Sequence, residues 1–128
     1  MKVSDGGILV LLIVCAFAIF QGTVLDRTKL ALKAGNPKGL SSMFAPTVQF
    51  GFDGEAENYS SREAEMQLEK FFKSNPPQNL EPLFQGVGKD GKHYFIGKLV
   101  SKAGAYRVSV YWKDGTEMAI QSVDFSKE

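Results

Sequence analysis

"VSVYWKDGTEMAIQSVDF", residues 108–125, carries the pattern that decides the fold. Two apolar runs flank Asp114-Gly115, a dipeptide favoured in two-residue β-hairpins because both positions tolerate positive φ. In the first run Val108, Val110 and Trp112 share one parity, and Tyr106 extends it backwards. In the second, Met118 and Ile120 keep one parity while Val123 and Phe125 keep the other. Successive side chains of a strand point to opposite faces, so an uninterrupted strand would expose one of those pairs. One extra residue at Gln121-Ser122 returns both pairs to the same face, and a β-bulge is the device that inserts it and bends the strand. The pattern predicts a long antiparallel sheet curved sharply around a helix, with an apolar hollow face. The alternative is a strand that is apolar on both sides.

Working outward, the preceding elements fit that sheet. Turns "KDGK" and "KDGT", with "SKAG" between them, divide the C-terminal half into strands 80–87, 93–101, 105–113 and 117–125. Before them lies "SSREAEMQLEKFFKS" (60–74), the best helix in the chain. Ser60 and Glu63 form a capping box, Lys70 and Lys73 suit the C-terminal end of the dipole, and Ala64, Leu68, Phe71 and Phe72 make an apolar stripe. "TVQFGF" (47–52) alternates as a strand, turned by Asp53-Gly54, after which "AENY" is placed to pair back briefly. Further upstream a helix is predicted over 23–34, ended by Gly35, and a short one follows from Asn36 as N-cap and Pro37 at the first helical position. Leu40, Met43 and Phe44 are expected on one face of that short helix, closed by Ala45-Pro46. The order is α-α-β-(β)-α-β-β-β-β, an α+β domain over residues 23–128.

Residues 1–22 stand apart. Ile8–Phe20 is an uninterrupted run of thirteen apolar residues, preceded by Lys2. A membrane-spanning helix needs about 20 such residues, so the run suits the core of a secretory signal cut near Gln21-Gly22. A retained membrane anchor is the alternative. Cys15, the sole cysteine, lies within "LIVC", a weak version of a lipidation box in which Val14 stands where a small residue is wanted. Export would leave a domain with no cysteine, hence no disulfide or thiol chemistry. Over all 128 residues the 44 % hydrophobic and 23 % charged composition is that of an ordinary globular protein. A net charge of +1, with no concentration of Lys or Arg, excludes a nucleic-acid partner from the expectations.

The combination of "ALKAGNPKGLSSMF" (31–44), "NYSSREAEMQLEKFFKSNPP" (58–77), "FQG" (84–86), "YFIGKL" (94–99), "YRVSVYWKDG" and "IQSVDF" resembles the nuclear transport factor 2-like superfamily, also called ketosteroid-isomerase-like or SnoaL-like. Within it, the chain is most similar to a family of small exported bacterial domains of unknown function. The resemblance implies a cone-shaped, cystatin-like fold, export to the periplasm or surface of a Gram-negative bacterium, and no assigned activity. It also implies that a homodimer through the outer sheet face is one way to cover Tyr94, Ile96 and Tyr111, which parity places outside the cone; the N-terminal helices are the other.

Enzymes of that superfamily place acids, bases and tyrosines inside the cone; in ketosteroid isomerase an Asp base works beside a Tyr and a protonated Asp. Here every inward parity that can be read is apolar, and no catalytic set, metal site or cofactor motif stands out. His93, the only histidine, begins a strand beside a charged turn and reads as a rim residue. Asp53, Glu55 and Glu57 read as a solvated turn, without the alternating ligands of a calcium loop. Tyr59, Tyr106 and Trp112 are the weak candidates for holding a small apolar ligand in the cone. Ten Phe, four Tyr and one Trp are also enough to fill a narrow cone. Two functions follow: a non-enzymatic ligand-binding or protein-interaction module, or, by analogy of fold alone, an isomerase or dehydratase acting on an apolar ring compound.

Overall fold

A computed structural model describes residues 23–114 and 119–128. The apolar run 8–20 with Cys15, and Gly115 and Met118 of the last hairpin, lie outside the described residues. Helix α1 (Val24–Ala34) starts at Thr23, whose Oγ accepts the Asp26 N–H at 3.2 Å. It ends at Gly35 with φ 62°, where the Asn36 N–H bonds Ala31 O and the Gly35 N–H bonds Leu32 O. This left-handed cap is what a glycine at that position predicts. A five-residue helix α2 (Pro37–Ser41) follows, capped by the Asn36 side chain. Then come β1 (Phe44–Phe52), β2 (Glu55–Ser60), helix α3 (Ser61–Ser74), β3 (Pro77–Val87), β4 (His93–Ser101), β5 (Gly104–Trp112) and β6 (Ile120–Lys127). The capping box of Ser60 and Glu63 forms at the start of α3 as expected.

The six strands make one sheet in the order β2-β1-β6-β5-β4-β3. All neighbours are antiparallel except β1 and β6, which run parallel. That pair corrects the expectation of a wholly antiparallel sheet. A parallel neighbour needs a long crossover, and here everything from β2 to β5 supplies it.

The parity switch of the last strand is a bulge on β6. Trp112 faces Ile120 and Tyr111 faces Ser122, so Gln121 is the residue without a partner on β5. Ile120, Val123 and Phe125 are consequently all fully buried. Further breaks in register fall on β1, between Phe44 and Gln49, and on β3 at Gln78 and Leu83. Together these bulges curl the sheet about α3.

Two boundaries differ from the sequence reading. Phe44 opens β1 instead of ending the short helix, because the Ile120 N–H bonds Met43 O at 2.8 Å and draws the chain into the sheet immediately. Pro46 falls in the bulged part of β1, where a missing N–H is tolerated. Pro77, expected only to stop α3, is the first residue of β3 and pairs with Ser101. As an edge strand, β3 accepts both Pro77 and Pro82 without breaking the sheet.

Ala64, Leu68, Phe71 and Phe72, the stripe read from sequence, are the buried residues of α3. Phe125 lies at their centre, with ring centroids 4.4 Å from Phe71, 5.8 Å from Phe52 and 5.9 Å from Phe50. Leu99 and Phe95 face inward from β4, leaving Ile96 half-buried on the other side. Helix α1 closes the cone over β3 and β4, its end set so tightly on Pro77 that a Cβ at Gly35 would lie 2.8 Å from the proline ring. Among the described residues the core of the cone is built of hydrocarbon and aromatic side chains.

Candidate functional site

At one end of the cone the last residues of β3, the first of β4 and the last of β5 meet the first turn of α1. The register puts Val87 beside His93 and His93 beside Trp112. Together with Val24 and Leu25 they line a cleft of about 370 Å³, with Lys113 and Asp114 at its rim. Trp112 is buried and His93 lies flat over it, ring centroids 5.7 Å apart and planes 14° from parallel. On the imidazole's edge, Nε2 lies 3.5 Å from Asp114 Oδ1. Asp114 is 85 % exposed, so this pair is bathed in solvent and holds the ring in place only weakly. His93 is therefore a rim residue, as its place at a strand start suggests, but one that covers the indole.

The three residues proposed from sequence do not converge. Trp112 lines the cleft. Tyr106 sits six residues earlier on β5, about 20 Å away along the strand, and packs edge-on against Phe71 at 4.9 Å. Tyr59 lies on β2, edge-on to Phe50 at 6.3 Å, and its phenol donates to Glu57 Oε2 at 3.1 Å. Acceptance of that proton by Glu57 holds the phenol's pKa above its ordinary 10.0, helped by desolvation and by the nearby negative charges of Glu57 and Glu63. Parity puts Tyr106 and Trp112 on one face of β5; it carries no information on distance along the cone. The His93–Trp112 contact was missed, although counting pairs outward from the Ser101–Gly104 turn reaches it directly.

The acidic turn is structural. Asp53, with φ 55°, accepts the Lys127 N–H on Oδ1 at 2.8 Å, and the Gly54 N–H donates to Asp124 Oδ1 at 3.2 Å. These bonds tie the β1–β2 hairpin to the end of β6. Among the described residues, no three His, Cys, Asp or Glu side chains are grouped to hold a metal ion. The buried polar side chains of the described core are three hydroxyls, Thr28, Ser41 and Ser101. Ser101 donates to Gly104 O at 3.0 Å, and Ser41 donates to Glu65 Oε1.

A bulged sheet in this order, curled about one long helix and closed by a second, defines a cystatin-like α+β domain. An uncharacterized cystatin-fold protein from Novosphingobium aromaticivorans has the same shape, with a TM-score of 0.60 at 10 % identity over 80 % of this chain and 93 % of that one. More specifically, residues 25–126 match the domain of unknown function DUF4783, and the chain belongs to that family. A crystal structure of a DUF4783 family protein from Bacteroides uniformis is similar at a TM-score of 0.75 and 21 % identity, covering 83 % of this chain and 98 % of that one. Another from Bacteroides ovatus is similar at 0.73 and 24 % identity, over 80 % and 93 %. No curated protein matches the chain.

Proposed function

We propose that this is an exported, non-enzymatic binding domain of the bacterial envelope, at the periplasmic or outer cell surface, that holds a small apolar molecule at the open end of its cone. The observation carrying the reading is the contrast between interior and mouth. Among the described residues the buried side chains of the interior are apolar apart from three hydroxyls, whereas the cleft at the mouth offers Val24, Leu25, Val87 and the His93–Trp112 stack. Such a site, mostly apolar with a few polar groups at the rim, suits binding. An isomerase or dehydratase would need a proton-transfer group pressed against the reacting carbon in a dry site. Among the described residues the His93–Asp114 pair is the one pairing at the cleft that resembles such a group. Its carboxylate is solvated and its imidazole is committed to the indole face, so we read it as a cover. Export, and with it a place in the envelope, rests on the apolar run 8–20.

Native mass spectrometry of the chain isolated from its bacterial host tests both halves. The expected spectrum shows a chain beginning near Gly22, carrying a small-molecule adduct that Val87→Glu removes and His93→Gln retains. Residues 1–21 still attached would overturn export with cleavage. A bare chain, or turnover of the adduct that depends on His93, would overturn the non-enzymatic ligand site.

A further inference from the structure

The outer face of the sheet carries a second arrangement, which meets the mouth cleft at Gly86 and Tyr94. Read across the strands, the register aligns Gly86 with Tyr94, Tyr94 with Tyr111, Tyr111 with Ser122, and Ser122 with Gln49. This is a single row crossing five strands at the inter-strand spacing of about 4.8 Å. Its first half is aromatic and its second half is amide and hydroxyl. Gly86 makes room for the aromatic half: a Cβ there would sit 3.1 Å from the Tyr94 hydroxyl and 3.3 Å from the ring carbon that bears it, so the hydroxyl end of the ring lies against the glycine. Tyr111 follows with its centroid 6.3 Å away, and Phe84 of the adjacent row stands 57 % exposed beside Ile96.

The β3–β4 hairpin bends over this face. Asp90 and Lys92 line both a groove of about 660 Å³ with Phe84, Tyr94 and Tyr111 and a groove of about 530 Å³ with Gln49, Gln121 and Ser122. Tyr111 is shared by the two, so they form one channel walled on one side by the hairpin. Even the bulge residue takes part, since Gln121, left unpaired on β6, lines the polar end.

We infer that this channel binds a neutral oligosaccharide chain. Backbone groups of β4, β5, β6 and β1 are committed to the sheet, so across these four strands an occupant meets side chains, which disfavours an extended peptide seeking a strand edge there. Those side chains are aromatic rings followed by uncharged donors and acceptors. A sugar ring presents the matching pair of surfaces: a C–H face that stacks on an aromatic ring and a rim of hydroxyls that bonds amides and hydroxyls. The row itself is uncharged, which matches a neutral ligand; Lys89, Asp90 and Lys92 stand along the hairpin wall beside it and leave that wall with one excess positive charge. One strand spacing is close to the length of one pyranose, so the row presents about one recognition group per sugar. The raised hairpin also leaves a trough that a thin chain enters more readily than a second flat sheet does.

Affinity electrophoresis of the chain isolated from its bacterial host, through gels containing dextran, xylan, mannan or a mixed-linkage β-glucan, tests the inference. Retardation by at least one of these is expected, weakened about tenfold or more by Tyr111→Ala and again by Gln49→Ala, with Met66→Ala, on the exposed side of α3, unchanged. Circular dichroism checks that the variants fold; Tyr111 is 37 % exposed, and Tyr111→Phe, which keeps the ring, should retain binding. Migration unaffected by all four polysaccharides would overturn the inference. So would a dimer in multi-angle light scattering that Tyr111→Ala splits, which would assign the face to a second copy of the chain.

Discussion

Phe125→Ala, set beside Phe84→Ala, tests the arrangement of the whole cone. Both phenylalanines lie on strands of the same sheet and both variants remove the same atoms. Phe125 is fully buried and touches three other aromatic rings, the nearest at 4.4 Å. Phe84 is 57 % exposed on the outer face. Truncating a buried phenylalanine costs about 3–5 kcal/mol, through lost transfer energy and the cavity left behind. Phe125 belongs near the top of that range, because three ring contacts go with it and the sheet around it cannot collapse past α3. An exposed truncation without other roles is worth about 0.5 kcal/mol. The expected difference is roughly 4 kcal/mol. With a urea m-value of about 1.5 kcal/mol/M, the midpoint of Phe125→Ala falls some 2–3 M below that of Phe84→Ala, as roughly 4 divided by 1.5. Trp112, the only tryptophan, is 6 % exposed, so its fluorescence reports unfolding directly. Domains of this size are stable by about 5–15 kcal/mol, so Phe125→Ala stands close to the limit of folding. Phe125→Leu, which leaves a smaller cavity, keeps the comparison measurable. Equal costs for the two alanine variants would refute the assignment of inside and outside on which every site described above depends.

Two further outcomes are expected. Thr28 is fully buried and its Oγ1 has no hydrogen-bond partner among the described residues, so Thr28→Val, nearly the same shape without the polar atom, should raise stability by about 1 kcal/mol in the same urea assay; a loss instead would show that the hydroxyl is satisfied. The raised pKa of Tyr59 means the fold favours the neutral phenol: that preference is fully present below pH 10.0 and is lost as pH climbs through the higher folded-state value. The phenolate absorbance of wild type minus Tyr59→Phe should therefore rise above pH 10.0, and Glu57→Gln should move it back down; an unchanged midpoint would refute Glu57 as the cause.

The two faces of the sheet divide the chemistry of the domain between them. Inside, the bulges let apolar residues of both parities on β6 reach α3 and join the core. Outside, the same curvature and the bent hairpin leave concave surface exposed, and the rings that remain there have polar neighbours. Recognition is consequently expected at the rim and on the outer face, while the apolar interior sets the stability.

The sequence alone determined the elements whose signals are local: the capped helix 60–74 with its stripe, the glycine that ends α1, and the parity switch that betrays a bulge on the last strand. Helix period, cap chemistry and strand alternation act over a few residues, and any chain carrying them displays them. The parallel pairing of β1 with β6, the recruitment of Phe44 and Pro77 into strands, and the seating of His93 on Trp112 were decided by tertiary structure. Each depends on partners distant in sequence, whose arrival overrides the local preference once the sheet closes around the helix. The scatter of Tyr59, Tyr106 and Trp112 has the same origin. Alternation says which way a side chain points, and only the closed cone says how far along it stands.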